Sequence, residues 1–463
     1  MDLLKTDFLI LGMGASGIGA AKLLKRSHKK VVIIDENENQ ILENKAKELI
    51  NNKINAEIGI QFRINNLLKY IDKNTIVITS PSIPWNSKIL NQIRKLNIKI
   101  KSEVEIALDY LKEFKWVGIT GTNGKSTVTT MLTHILNKNN INAPMAGNIG
   151  ISISDVALNI FNSNENPEWI IIELSSYQIE ASPGISPHIG IWTNLTPDHL
   201  ERHGTIEKYS AIKKQLLDRS SIRIYNADDE FLFENKAILE EGIWVKTKKN
   251  TNENIHPNLW INPDGLIIEN GEILFDSSCF KAPGNHNLQN LLLATAAARE
   301  IGLSGDSIQR SLESFKGVPH RLEIISSQNN LTVYNDSKAT NYSSSEVGIA
   351  AVKGPVIVIA GGVAKRGSAN SWVRALKQKA CLVILFGQDK NQLKDKLKKY
   401  GFSPKIYTFL GLEESVNKAF SLVSHYSASS IILSPACSSF DQYSNFEARG
   451  NHFKKIVSSI ISL

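Results

Sequence analysis

The sequence predicts an α/β protein of three domains built on mostly parallel sheets, and three observations predict it. Short β-branched runs alternate with segments of helical period throughout the chain, the pattern of helices packed on parallel strands. Examples are FLILG, VVIID, TIVIT, WVGIT, WIIIE, GIWTN, VIVIA, LVILF and SIILSP. Two of these runs lead into glycine turns that open helices, as phosphate-binding loops do. At 463 residues the chain is too long for one core and suits three at ~100–200 residues per domain.

Two interruptions set the boundaries. The helical segment KSEVEIALDYLKEF, near residues 101–115, separates an opening βαβ unit from the next strand, and GVPH, Gly317 to His320, breaks a later helical run. The expected domains are therefore 1–103, 104–317 and 318–463. Hydrophobic residues make up 42% and charged residues 21%, ordinary for a soluble chain, and no run approaches the ~18 apolar residues of a membrane helix. The opening MDLLKTDFLILGMG lacks the clean apolar core of a signal peptide, so a cytoplasmic protein with no membrane insertion is expected. Cys279, Cys381 and Cys437 form no CxxC pair, which indicates neither a disulfide framework nor a zinc site. The formal charge is +8, with lysines scattered singly, so a generally basic surface is expected and no nucleic-acid partner.

The strand WVGIT runs into GTNGKST, Gly121, Thr122, Asn123, Gly124, Lys125, Ser126 and Thr127, and a helix begins around Lys125. Backbone N–H groups then converge where a helix dipole starts, which suits a triphosphate. Lys125 would offset β/γ-phosphate charge and Ser126 would ligate Mg²⁺, although the strict GxxxxGK[ST] spacing is not met because Ile119 stands five before Gly124. GMGASG, Gly12 to Gly17, also joins a strand to a helix, with Asp35 23 residues after Gly12. By itself that reads as a dinucleotide site, and it equally suits another diphosphate ligand or close helix–strand packing.

Around these loops stand the charged candidates. Glu173 ends WIIIE at a strand's carboxyl edge, the place of a Mg²⁺ ligand or of a helix cap. His199, in NLTPDHLERHG, completes such a shell or is a surface histidine. Tyr209 and Lys213 share a helix face at i and i+4. Lys213 is most simply solvated. Were it aimed at Mg²⁺, repulsion of roughly 4 kcal/mol at ~4 Å and an effective dielectric of 20 would favour its neutral amine, which reacts with CO₂ to give an anionic carbamate. Asn287 and Asn290, at i and i+3, face one way and suit an adenine edge or, for one of them, a helix cap. YNDSKAT, GGVAKRG and SPACSSFDQYSNF all follow strands, placing Asp336, Lys338, Thr340, Lys365, Ser439 and Phe446 on one sheet edge.

Taken together, GTNGKST, ELSSYQIE, NLTPDHLERHG, PHR, NDSKATN and LSPACSSFDQYSNFEARG resemble the motifs of the Mur ligases, in order across all three domains. The resemblance implies a Rossmann-like first domain for a UDP-linked substrate, a P-loop ATPase-like central domain and a Rossmann-like third domain for an amino acid. It also implies a monomeric enzyme of peptidoglycan precursor synthesis that adds D-glutamate to UDP-N-acetylmuramoyl-L-alanine, using ATP and two Mg²⁺ ions. Ala15, Ser16, Asp35, Ser80 and Asn148 would then hold the UDP substrate. Gly121 to Thr127, Asn287, Asn290, Arg321, Asp336 and Lys338 would hold ATP, and Thr340, Lys365, Ser439 and Phe446 would hold D-glutamate. Ser126, Glu173, His199 and an N-carboxylated Lys213 would bind the metal ions, with Lys125, Glu173, His199 and Lys213 as the catalytic set. Two departures stand out: Ser80-Pro81-Ser82 replaces the family's SPG turn, and Phe440 stands where leucine is usual. The alternative is a related Mur or folylpolyglutamate-type ligase that adds a different amino acid.

Overall fold

Strands that are apolar on both faces must be covered on both sides, and in this chain the covering elements are helices. The computed structural model describes residues 5–163, 165–248, 256–364 and 367–462. The first sheet comprises β1 (Phe8–Leu11), β2 (Val31–Ile34), β3 (Asn55–Glu57), β4 (Ile76–Thr79) and β5 (Lys99–Ser102), all parallel, in the order β3-β2-β1-β4-β5. The order reverses between β1 and β4, which opens a crevice at their carboxyl ends.

The second sheet comprises β6 (Lys115–Thr120), β7 (Met145–Gly147), β8 (Trp169–Glu173), β9 (Ile189–Trp192), β10 (Ile222–Asn226), β11 (Ile243–Lys246), β12 (Leu259–Ile261), β13 (Leu266–Glu269) and β14 (Glu272–Asp276). Its order is β14-β13-β12-β11-β10-β9-β6-β8-β7. Seven strands run parallel, and β13 and β14 add an antiparallel edge. The third sheet holds β15 (Glu323–Gln328), β16 (Leu331–Asn335), β17 (Val356–Gly361), β19 (Ala380–Phe386), β20 (Lys405–Thr408) and β21 (Ser430–Leu433), in the order β15-β16-β21-β17-β19-β20. Beside it, β18 (Val363–Ala364) pairs antiparallel with β22 (Cys437–Ser438). The fold class is the expected α/β with mostly parallel sheets.

By compactness the chain divides into two units. One runs to Cys279 and includes Gln289–Glu313; the other is Phe280–Leu288 with Ser314 onward. In the first, the helices Ala15–Arg26, Glu103–Tyr110 and Ile153–Ser163 share one apolar core with β8, through Leu23, Val104, Ala107, Ile153, Val156, Ile170 and Ile172. The segment KSEVEIALDYLKEF is not helical throughout. Lys101 and Ser102 belong to β5, and a capping box starts the helix at Glu103: the Ser102 hydroxyl accepts the Glu105 N–H while the Glu105 carboxylate accepts the Ser102 N–H. Among the described residues no helix is long and apolar enough to cross a membrane.

Candidate active site

The phosphate loop is built by conformations only glycine adopts easily. Gly121 has φ +146° and Gly124 has φ +82°, and a Cβ on Gly124 would lie 2.5 Å from Asn290 Oδ1. The helix Lys125–Lys138 follows at once. Sequence-distant residues brace the loop: the Asn194 side chain accepts the Asn123 N–H at 2.8 Å, and the Thr193 hydroxyl donates to the Asn123 carbonyl at 2.5 Å. Lys125 Nζ folds back onto the Gly121 and Thr122 carbonyls at 2.8 and 2.9 Å.

Behind the loop, Glu173 is buried at the carboxyl end of β8 and is shared by two partners. Ser126 Oγ donates to Oε2 at 2.5 Å, and Asn148 Nδ2 donates to Oε1 at 3.0 Å. The Asn148 N–H also donates to the Glu173 carbonyl at 2.9 Å, so the AGNIG turn is held to the end of the strand twice. Lys213 is almost wholly enclosed, its Nζ 2.9 Å from the Gly121 carbonyl and 3.4 Å from Thr120 Oγ1, above the Tyr209 ring at 4.5 Å. Burial drives its pKa well down, and nearby Lys125 pushes the same way, against Asp198 and Glu173. The sequence pattern brought Tyr209 and Lys213 together on one helix face but not to this depth.

His199 takes a left-handed conformation, φ 54°, at the start of a short helical turn. Its Nδ1 lies 3.2 Å from Tyr177 Oη and 3.8 Å from Glu201, and its Nε2 lies 3.6 Å from Asp198. His203, which the sequence reading passed over, is buried, bonded to Ser176 Oγ at 2.9 Å and stacked on Tyr209. Burial lowers its pKa to about 4, with Arg202, His199 and Lys213 adding to the effect. No spacing announced Tyr177, Asn194 or His203 as members of this region, though Asn194 does close the GIWTN strand.

Among the described residues no cluster of three or more His, Cys, Asp or Glu forms a ready-made metal centre. The adjacent oxygens of Ser126 and Glu173 nonetheless fit Mg²⁺, a hard ion that takes few protein ligands and fills its shell with water and phosphate.

At the reversal point of the first sheet lies a cleft of about 470 Å³, lined by Gly12, Asp35, Asn37, Phe62, Ser82 and Lys88 among others. Asp35 accepts the Met13 N–H at 2.8 Å and the Asn37 N–H at 2.9 Å, tying the ends of β1 and β2 together. A Cβ on Gly12 would lie 2.9 Å from Ser80 Cβ. Ala15 and Ser16 open the adjoining helix, and Ser80 Oγ meets Ser82 Oγ at 3.1 Å, a contact the usual glycine could not make.

In the second unit the Asn287 side chain donates to the Pro283 carbonyl at 2.6 Å. Asp336 is buried; desolvation raises its carboxyl to about 7, opposed by the Ser434 hydroxyl at 2.9 Å, the Leu322 N–H at 3.3 Å and Arg321. Lys338 Nζ sits 3.8 Å from the centre of the Phe446 ring. Thr340 follows in the same turn, its N–H donating to the Lys338 carbonyl, and Ser439 is buried with its carbonyl accepting the Tyr443 N–H. Lys365 lies outside the described residues. Arg449 is fully enclosed and donates to Ser337 Oγ and O, Cys437 O and Gly361 O at 2.9–3.3 Å, gathering the NDSKAT turn, the end of β17 and β22 around one guanidinium. Burial lowers its pKa to about 10. The sequence analysis did not single it out, although it stands inside the quoted LSPACSSFDQYSNFEARG motif.

Comparison with known proteins agrees with this assembly. The Mur ligase middle domain family matches residues 119–298, and the Mur ligase glutamate ligase domain family matches residues 320–437. A UDP-N-acetylmuramoylalanine--D-glutamate ligase from a strain of Prochlorococcus marinus is 47% identical over 96% of this chain and 95% of its own length. Its namesake from a strain of Synechococcus is 44% identical over 98% and 99%. Two solved structures share the fold. A UDP-N-acetylmuramate-alanine ligase from Thermotoga maritima has TM-score 0.60 at 20% identity, and a pseudomurein peptide ligase type C from Methanothermus fervidus has TM-score 0.58 at 18%, each covering 98% of this chain and 99% of the other. With full-length relatives of this similarity and both domain families in register with the loops described above, this chain belongs to the Mur ligase family.

Proposed function

We propose that the chain adds D-glutamate to UDP-N-acetylmuramoyl-L-alanine, with ATP converted to ADP and phosphate. The geometry that carries the reading is the shared Glu173, whose carboxylate joins the phosphate loop at Ser126 to the AGNIG turn at Asn148. That arrangement puts a nucleotide loop and a second polar turn on one carboxylate, as a phosphoryl transfer between two bound substrates requires. The substrates themselves are those in the names of the relatives.

In the proposed sequence the L-alanine carboxylate oxygen bonds to the γ-phosphorus as the bond to the ADP oxygen breaks. The D-glutamate nitrogen then attacks the acyl carbon, the tetrahedral intermediate collapses, phosphate leaves and the amine proton is released. Lys125 leaves its loop carbonyls to offset the charge spreading over the transferred group. Mg²⁺ held by Ser126, Glu173, His199 and a carboxylated Lys213 supplies further charge stabilisation when bound. Lys213 suits that modification because burial lowers its pKa well below the ordinary value and so favours the uncharged amine that reacts: nitrogen bonds to the carbon of CO₂ and one proton departs. Asn290 and the loop N–H groups are assigned to ATP with Asn287, Arg321, Asp336 and Lys338. Ala15, Ser16, Asp35 and Ser80 are assigned to the UDP moiety, and Thr340, Lys365, Ser439 and Phe446 to D-glutamate.

The test is phosphate release with UDP-N-acetylmuramoyl-L-alanine across a panel of amino acids, with the peptide product identified by mass. D-Glutamate alone should support release and yield one new amide bond. Release driven equally well by another amino acid, or release without a new peptide, would sink the assignment.

A further inference from the structure

A buried carboxylate away from the phosphate loop joins the two nucleotide-binding regions of the first unit. Glu103 follows β5 directly and is 2% exposed. Its Oε1 accepts the Ser154 N–H at 2.8 Å. That N–H lies in the first turn of the helix Ile153–Ser163, where donors lack intrahelical acceptors and the dipole favours an anion. The same turn is where the Ala15–Arg26 helix lands. A Cβ on Gly19 would lie 2.5 Å from Ser152 Oγ and 3.2 Å from Ser154 Cβ. Ser152 is itself locked, donating to Asp155 at 2.7 Å and accepting the Asp155 N–H at 3.0 Å.

From this joint two connections run. One is the Ala15 helix, whose first residues flank the cleft assigned to UDP. The other is the short stretch from Asn148 to Ser152, held by the Gly147 N–H on the Ile151 carbonyl at 2.8 Å and by the paired Asn148–Glu173 bonds. A substrate with a diphosphate at one end and a reacting carboxylate at the other must meet both places at once, so their spacing is a binding determinant.

We infer that Glu103 is a positioning residue for the nucleotide-sugar substrate: through Ser154 it holds the Ala15 helix and the Asn148 turn at the spacing that lets one ligand reach both. The inference rests on the proposed substrate. An apolar side chain of similar size would fill the same volume but leave the Ser154 N–H buried without an acceptor. Asp155 is the charged neighbour that faces the carboxylate from the opposing helix.

The experiment measures binding of UDP-N-acetylmuramoyl-L-alanine and of ATP separately, by calorimetry on the full chain, with a thermal melt for each variant. Glu103→Ala should weaken nucleotide-sugar binding about tenfold and leave ATP within about twofold, while Glu103→Gln, whose amide oxygen accepts the same N–H, should stay within about twofold of the native chain. Gly19→Ala, which presses the two helices apart without touching the carboxylate, should give the same selective loss and serves if Glu103→Ala does not fold. Unchanged nucleotide-sugar affinity in the folded variants, or equal weakening of ATP, overturns the inference. A native chain that binds the nucleotide-sugar but makes no D-glutamyl product overturns the proposed reaction alone.

Discussion

Lys125 and Lys213 are both lysines near one loop, and their environments separate their roles. Lys125 is partly exposed and rests on two carbonyls from which it can swing to a phosphate. Replacing it by alanine should lower phosphate release by about 10²–10³-fold, the usual cost of losing one charge-stabilising donor, with little change in melting temperature. Native-like turnover in that variant would remove its assigned role. Lys213 is enclosed, burial lowers its pKa well below the ordinary lysine value, and the carboxylation proposed for it predicts that activity depends on CO₂. Protein stripped of CO₂ and bicarbonate should lose turnover and regain it on bicarbonate addition, with a ¹³C carbamate resonance appearing in parallel. Loss of turnover without that resonance would point elsewhere.

Glu103 makes stability depend on pH. Burial raises its carboxyl from the ordinary 4.5 to about 7, with Asp155 adding to the rise and the Ser154 N–H opposing it. Because the folded value lies above the unfolded one, its contribution to stability is complete below pH 4.5 and is lost as pH rises toward 7. Glu103→Gln has no such titration, so its melting temperature relative to the native chain should rise between pH 4.5 and 7. A constant difference across that window would contradict the shift.

At the level of elements, the phosphate loop works because glycine allows backbone that other residues resist. Gly124→Ala would need a left-handed residue and a Cβ 2.5 Å from Asn290 Oδ1, in a helix that packs beside the loop. Phosphate release should fall by about tenfold or more, since a misplacement of ~1 Å near the chemistry costs up to about 10², while far-UV circular dichroism stays native. Unimpaired release would show the loop more tolerant than its geometry implies. The elements differ in how readable they were. The nine apolar runs of the sequence lie in β1, β2, β4, β6, β8, β9, β17, β19 and β21, because continuous burial writes itself into composition. The β12 strand and the antiparallel β13–β14 hairpin were not read: LWI, LIIE and EILFD are short, although Asn270-Gly271 between the last two is the sequence signal of a two-residue hairpin turn and takes positive φ at both residues. The short edge strand Met145–Gly147 was missed for the same reason.

For the whole molecule, the proposed function predicts linkage between ligand and stability. ATP analogue with Mg²⁺ at a hundredfold excess over its Kd should add about 2.7 kcal/mol to stability, and chelation should abolish both that shift and turnover. A shift unaffected by chelation would separate nucleotide binding from the metal.

The amino-acid sequence alone determined the parallel α/β architecture and the position of the phosphate loop, because strand burial, glycine turns and helix starts are local properties of neighbouring residues. It also nominated Glu173, Asn148 and Lys213, one at a time. Only the tertiary structure decided that Ser126 and Asn148 share one carboxylate, that Lys213 is enclosed, that Arg449 is a buried tie, and that Glu103 clasps a helix 51 residues away. Those facts depend on groups brought together by chain crossovers, and sequence spacing carries no measure of that distance or of the solvent removed on the way.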